Sequence, residues 1–218
     1  MESSLGLLLI GINVLVTILC FSNRALYENF LFSIGHIRHY KEYYRFLTSG
    51  FIHADWMHLL FNMMSLFWFI GDCTYVLGTA NTLFVYFGSL VCGNLVAYFS
   101  NRDNDDYRAV GASGAVSGII FSAILFDPSG SINLLMFPNG IPKWLYAILF
   151  IGYSMYGMRS RHDNIGHEAH LGSAMTGLLL TLLFIPQLLF LEPLLISALV
   201  IPCIGFYVWS LMQKNKLQ

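Results

Sequence analysis

Residues 108–118 read RAVGASGAVSG, placing a hydroxyl, Ser113, among glycines and alanines at the head of a run that continues as apolar chain. Gly111, Gly114 and Gly118, with Ala112, Ala115 and Ser117, leave one side of a helix almost without bulk, so another backbone can approach closely. Gly114 and Gly118 form a G-x-x-x-G. Taken alone, the stretch has two readings. Ser113 is one more small interface residue, or it is a nucleophile held beside helix-terminal N–H groups that can bind an oxyanion. The rest of the chain has to choose between them.

The chain has 218 residues, 56% hydrophobic and 11% charged, with a mean hydropathy of +0.64. That balance predicts a membrane protein. A net charge of -1 offers no basic field for nucleic acid. Cys20, Cys73, Cys92 and Cys203 stand singly in apolar stretches and read as small buried hydrophobes. The opening SSLGLLLIGINVLVTILCFS lacks a basic leading region and is long enough to span, so it reads as a first transmembrane helix.

A crossing needs about 20 apolar residues, which places spans near 5–22, 56–76, 80–100, 109–127 and 143–158. From Leu171 to Met212 the only charge is Glu192. As helix this stretch is about 63 Å long, roughly twice a ~30 Å hydrocarbon core. It must fold back, and Pro186 and Pro193 mark the turn. The expectation is an all-α polytopic bundle of seven spans, with six plus a reentrant or surface-lying tail as the alternative. Without internal repeats, 1–218 reads as one domain. The longest polar insertion, 23–50, mixes cations with Tyr27, Phe30, Phe32, Tyr40, Tyr43 and Tyr44, a composition suited to the headgroup layer.

Ionisable groups at membrane depth cost about 2.5–3.5 kcal/mol on insertion scales, so intramembrane histidines point to function. In HADWMHLLFN, His58 and Asn62 lie four apart on one helix face. They read as paired donors for an anion, or as interhelical hydrogen-bonding groups. His53 just before them reads as a loop-packing histidine. In GHEAHLGSAMTG, His167, Glu168 and His170 open a span that continues with Ser173 and Gly177 at small-x-x-x-small spacing. If the two small-residue faces pack, Ser113 meets His170, the minimum for nucleophilic acyl transfer. A metal reading fails on spacing: H-E-A-H puts the histidines three apart and Glu168 off their shared face. No cofactor or metal is expected.

The combination resembles the rhomboid family of intramembrane serine proteases over about residues 40–185: an arginine loop, H-x-x-x-N in the second span, G-x-S-G in the fourth and A-H-x-x-x-x-x-x-G in the sixth. The resemblance implies six core transmembrane helices, to which the length of the C-terminal stretch adds a seventh at about 188–212. It implies Ser113 as nucleophile, His170 as general base, and His58 and Asn62 as side-chain donors of the oxyanion hole. Arg45 would fix the first loop, and Gly114, Gly118 and Gly177 would let the fourth and sixth helices touch. Transmembrane protein segments, entering from the bilayer, are the implied substrates, and a bacterial cell membrane the implied location. An inactive rhomboid-like protein that binds transmembrane helices is the alternative; it would lack the serine or histidine, and both are present.

Four positions depart from the family pattern. Tyr44 replaces a tryptophan, and Thr74 stands where many members carry a helix-tying glutamate, with Asp72 nearby. Ser117 stands where some members stack an aromatic on the histidine, and Ser173 fills a glycine position. None removes a catalytic atom; the last two touch the orientation of His170.

Of eleven Lys and Arg, Arg24, Arg38, Lys41, Arg45, Arg102, Arg108, Arg159 and Arg161 fall in the first, third and fifth loops. Lys214 and Lys216 join them if there are seven spans, and Lys143 lies opposite. A positive-inside count puts those loops in the cytoplasm, whereas the resemblance implies that the site faces out in bacterial members. The family orientation is preferred, because Arg45 and its loop serve structure and Asp103, Asp105 and Asp106 crowd the third loop.

Overall fold

The computed structural model describes residues 4–134, 137–160 and 166–215. Arg161 and Lys216, counted above for topology, lie outside the described residues. In chain order the elements are α1 (Ser4–Ser22), α2 (Arg24–Phe30), β1 (Phe32–Ser33), α3 (Ile34–Tyr40), α4 (Arg45–Thr48) and α5 (Trp56–Asn101). There follow β2 (Arg108–Ala109), α6 (Ser113–Phe126), β3 (Ser131–Leu134), β4 (Phe137–Pro142), α7 (Lys143–Ser160), α8 (His167–Phe184), α9 (Leu188–Leu191) and α10 (Pro193–Asn215). The protein is a helical bundle. Among the described residues the strands form two short antiparallel pairs, β1 with β2 and β3 with β4, neither of which apolar patterning predicted.

α5 carries two of the expected spans. At Gly78 the backbone leaves the helix with φ 73° and ψ 167°, a conformation that only glycine adopts without strain. Asn62 and Leu90 line the same cavity, although 28 residues of straight helix would hold them about 42 Å apart. The chain therefore reverses at Gly78, making two arms, 56–77 and 79–101, in place of one rod.

The central contacts join α5, α6 and α8, with α1 and α7 packed outside them. Small polar residues fill this seam. Ser122 Oγ donates to Gly118 O (2.9 Å) and Gly177 O (3.2 Å), and Thr181 Oγ1 lies 2.7 Å from Ser122 Oγ and 2.8 Å from Gly177 O. Asn13, Thr17, Ser89, Ser122, Ser173 and Thr181 are fully buried, while Leu8, Leu15, Phe84, Phe99, Phe190 and Leu194 are exposed. Polar groups inside and large apolar groups outside is the distribution of a bundle whose solvent is lipid. α1 and α5 are long and apolar enough to cross a membrane, and Ser113–Phe126, Lys143–Tyr153 and Pro193–Gly205 are shorter apolar helices.

Two span boundaries move. α6 begins at Ser113, not near 109, because Arg108 and Ala109 pair with β1 and Gly111, at φ 126°, donates its N–H to Ser49 O at 2.9 Å. Its 14 residues make only about 21 Å of helix. Further on, α10 starts at Pro193, not near 188, and α8 ends at Phe184, so the turn falls at the two prolines, with α9 between them.

Candidate active site

Ser113 is the first residue of α6, where the leading N–H groups of a helix have no intrahelical partner. α8 presents His170 opposite, and His170 Nε2 lies 2.6 Å from Ser113 Oγ. This contact spans 57 residues of chain and depends on how closely α6 and α8 approach. A Cβ on Gly177 would sit 2.5 Å from Gly118 Cα and 2.7 Å from its carbonyl carbon, distances no real side chain occupies. Gly114 faces Ser173 Oγ and Leu90. The three small positions stand at the crossing.

His58 and Asn62, both from the first arm of α5, face the same cavity, of about 740 Å³, as Ser113 and His170. The N–H of Ala54 points to His58 Nδ1 at 3.4 Å. Since that N–H can only donate, a neutral His58 carries its proton on Nε2, and the ring is a donor on its inner edge. That edge lies against Gly111: a Cβ there would meet His58 Cε1 at 2.6 Å and Nε2 at 2.8 Å. Asn62 uses one N–H on His58 O at 2.9 Å; a primary amide has a second to offer. The cavity reaches the exposed side chains of Arg24 and Arg108.

Arg45 is 1% exposed. It donates from Nη1 to Glu28 O and Leu31 O, each at 2.7 Å, and from Nε to Glu42 Oε2 at 2.6 Å, with its guanidinium 5.5 Å from the Tyr44 ring centre. A planar fork closes the loop's free carbonyls. The Arg45 hydrogen bond holds the Glu42 carboxyl below its ordinary pKa.

The four departures acquire physical accounts. Tyr44 keeps an aromatic face toward Arg45. Thr74 turns its hydroxyl back to Ile70 O and Gly71 O of its own helix. Asp72 makes the cross-helix tie instead, pairing with Lys143 of α7 at 2.7 Å, which also binds Asp127 at 2.9 Å. Ser117 Oγ bonds back to Ser113 O (2.7 Å), and the aromatic beside His170 comes from α7: Phe150, with ring centres 6.1 Å apart. Ser173 bonds to Ser89 O at 2.8 Å, in space left by Gly93. Glu168 accepts from Asn101 Nδ2 at 3.2 Å, while the His167 ring lies 6.1 Å from that of His170. Sequence reasoning missed Phe150 and Gly93, since each acts across a helix boundary that carries no local spacing signal.

Over residues 40–187, which hold both Ser113 and His170, the sequence matches the rhomboid domain model. The chain belongs to the rhomboid family, whose members are integral membrane proteins. It is 35% identical over 148 residues to "Putative rhomboid protease YdcA" of Bacillus subtilis (strain 168), a match covering 67% of this chain and 69% of that protein. It is 27% identical to RHOMBOID-like protein 12, mitochondrial, of Arabidopsis thaliana, over 78% of this chain and 54% of that one. With Rhomboid protein 1, mitochondrial, of Saccharomyces cerevisiae it shares 28% identity over 61% of this chain and 39% of that one.

Proposed function

We propose that this protein is an intramembrane serine endopeptidase, and the observation that carries the reading is the 2.6 Å contact between Ser113 Oγ and His170 Nε2 beside a cavity. His170 takes the Ser113 proton as the oxygen attacks a peptide carbonyl. The C–O bond forms and the carbonyl π electrons move to oxygen, which His58 Nε2–H, the second Asn62 N–H and the Ser113 backbone N–H receive. Each such donor is typically worth about 2.7–4 kcal/mol in the transition state. Collapse breaks the C–N bond and His170 passes its proton to the departing amine. Water then repeats the sequence on the acyl-enzyme.

The substrate in this reading is a transmembrane segment of a membrane protein. The chain is one domain, with the two arms of α5 as separate crossings, α1, α6, α7 and α8 completing six, and α10 the seventh. Irregular backbone at depth is tolerated where protein or a wet cavity satisfies it, which suits the turn before the short α6. The mouth faces out of the cytoplasm. Four of its cations are partners of carboxylates: Arg24 and Arg108 with Glu28, Arg38 with Asp105, Arg45 with Glu42. That pairing favours a structural over a topogenic role for them.

A serine-reactive fluorophosphonate applied to the detergent-purified protein should label wild type and spare Ser113→Ala. Equal labelling of both removes Ser113 as nucleophile, and cleavage of a model transmembrane substrate unaffected by His170→Ala removes the dyad. If neither labelling nor cleavage occurs in wild type, the helix-binding alternative stands. An impermeant thiol reagent reacting in intact cells with a cysteine placed at Asn104 checks the orientation.

A further inference from the structure

Beneath the cavity runs a chain of polar contacts that the mechanism above does not use. His53, in the loop before α5, is fully buried and engages both ring nitrogens: Nδ1 with Thr17 Oγ1 of α1 at 2.9 Å, Nε2 with Ala112 N at 3.4 Å. The Ala112 N–H can only donate, so Nε2 accepts and the ring proton sits on Nδ1. Nδ1–H then donates to Thr17 Oγ1, and the Thr17 hydroxyl donates onward to Phe51 O at 3.2 Å. A neutral imidazole satisfies every member, each bond setting the direction of the next. Burial pushes the pKa of His53 down to about 3, which keeps it neutral.

The far end of this chain is the residue before Ser113. Ala112 caps α6, and the preceding Gly111 N–H is held by Ser49 O. Two successive N–H groups of the turn are therefore pinned to one segment, 49–53. The His53 ring also stands edge-on to that of His58, with centres 5.2 Å apart at 77°. One imidazole thus touches both the turn that delivers Ser113 and the ring that faces it. Thr17, which orients the imidazole, lies outside the 40–187 stretch that matches the family model.

We propose that Thr17 and His53 form a positioning relay, through which α1 sets the Ala112–Ser113 turn against His58. The proposal rests on the reading of Ser113 as nucleophile. Neither residue touches a reacting atom, so both are positioning residues, acting on turnover and not on substrate affinity.

The test compares Thr17→Val, His53→Leu and the double variant with the conservative Thr17→Ser and His53→Gln. On a model transmembrane substrate, His53→Leu should lower kcat about ten- to a hundredfold, the scale of a small misplacement of reacting groups. KM should be little changed, and Thr17→Val should lower kcat less. The double variant should be no worse than His53→Leu, because two members of one chain do not act additively. Gln can offer an oxygen to the Ala112 N–H, and both conservative variants should recover most of the rate. Additive losses, or a change confined to KM, overturn the relay. Amide hydrogen exchange in a Ser113→Ala background gives a second readout. The Ala112 amide should exchange faster with His53→Leu or Thr17→Val and return toward the parent rate with Gln or Ser. Unchanged exchange overturns the relay whatever the activity. Altered exchange with a wild type that never turns over overturns the protease reading instead.

Discussion

Gly118 of α6 and Gly177 of α8 meet backbone to backbone, with no room for a side chain on Gly177. Gly177→Ala should therefore push the helices apart and lengthen the Ser113–His170 contact. Since the opposing atoms are main chain and cannot rotate away, a loss of about 1–3 kcal/mol is expected, the usual range for overpacking. Thermal unfolding in detergent and fluorophosphonate labelling should both fall; an alanine variant with parental stability and labelling would contradict the packing account.

Gly93 and Ser173 form a lock of complementary size. A Cβ on Gly93 would collide with Ser173 Oγ and lie 2.6 Å from Ala169 O. Gly93→Ala should destabilise strongly, and Ser173→Gly in the same protein should recover part of the loss, the Ala169 carbonyl keeping the recovery incomplete. A double-mutant cycle on unfolding midpoints reads the coupling, and simple additivity is the contrary result.

Phe150 lies against the His170 ring from a neighbouring helix. Phe150→Ala should free that ring to leave the serine, lowering kcat about tenfold or more, the scale of a misoriented base. Phe150→Tyr should keep most of the rate. Parallel kcat and KM measurements with an unfolding curve separate this from general loosening.

The Arg45–Glu42 pair makes the first loop acid-sensitive. The folded pKa of Glu42 is depressed by its bond to Arg45, so the pair's contribution is complete above the ordinary carboxylate value of about 4.3. It is lost as pH falls through the depressed folded value. Unfolding midpoints of wild type should drop on that acid limb more steeply than those of Glu42→Gln. Arg45→Lys should destabilise at all pH values, because a single ammonium cannot replace the planar fork on Glu28 O and Leu31 O.

What the sequence made legible follows from what periodicity encodes. The apolar runs anticipated the two arms of α5, and the prolines at 186 and 193 anticipated the break before α10. Small residues at fixed spacing gave the expectation that the helix of Ser113 and the helix of His170 pack face to face; Ser113 Oγ and His170 Nε2 lie 2.6 Å apart. The expected start of α6, near 109, falls early because AVGA, residues 109–112, is as apolar as the helix after it; the hydrogen bonds that make it a turn come from Ser49 and His53, some 60 residues earlier. Phe150 was invisible for a related reason. The family pattern puts the aromatic on the serine's helix, and here a ring on α7 lies beside His170 instead.

The reversal at Gly78 makes one backbone unit the vertex of a lever. Its two arms carry different loads: His58 and Asn62 ride on the first, while Ser89, Leu90 and Gly93, which seat α6 and α8, ride on the second. Asn62 lies 16 residues from the vertex along helix, about 24 Å, so a change of about 5° at Gly78 sweeps its amide through about 2 Å. A Cβ at Gly78 would meet no neighbour within 4 Å, yet an L-residue at φ 73° carries the strain of the left-handed region. The place of the Asn62 amide in the cavity it shares with Ser113 is thus set some 24 Å away by an angle, at a position where crowding plays no part.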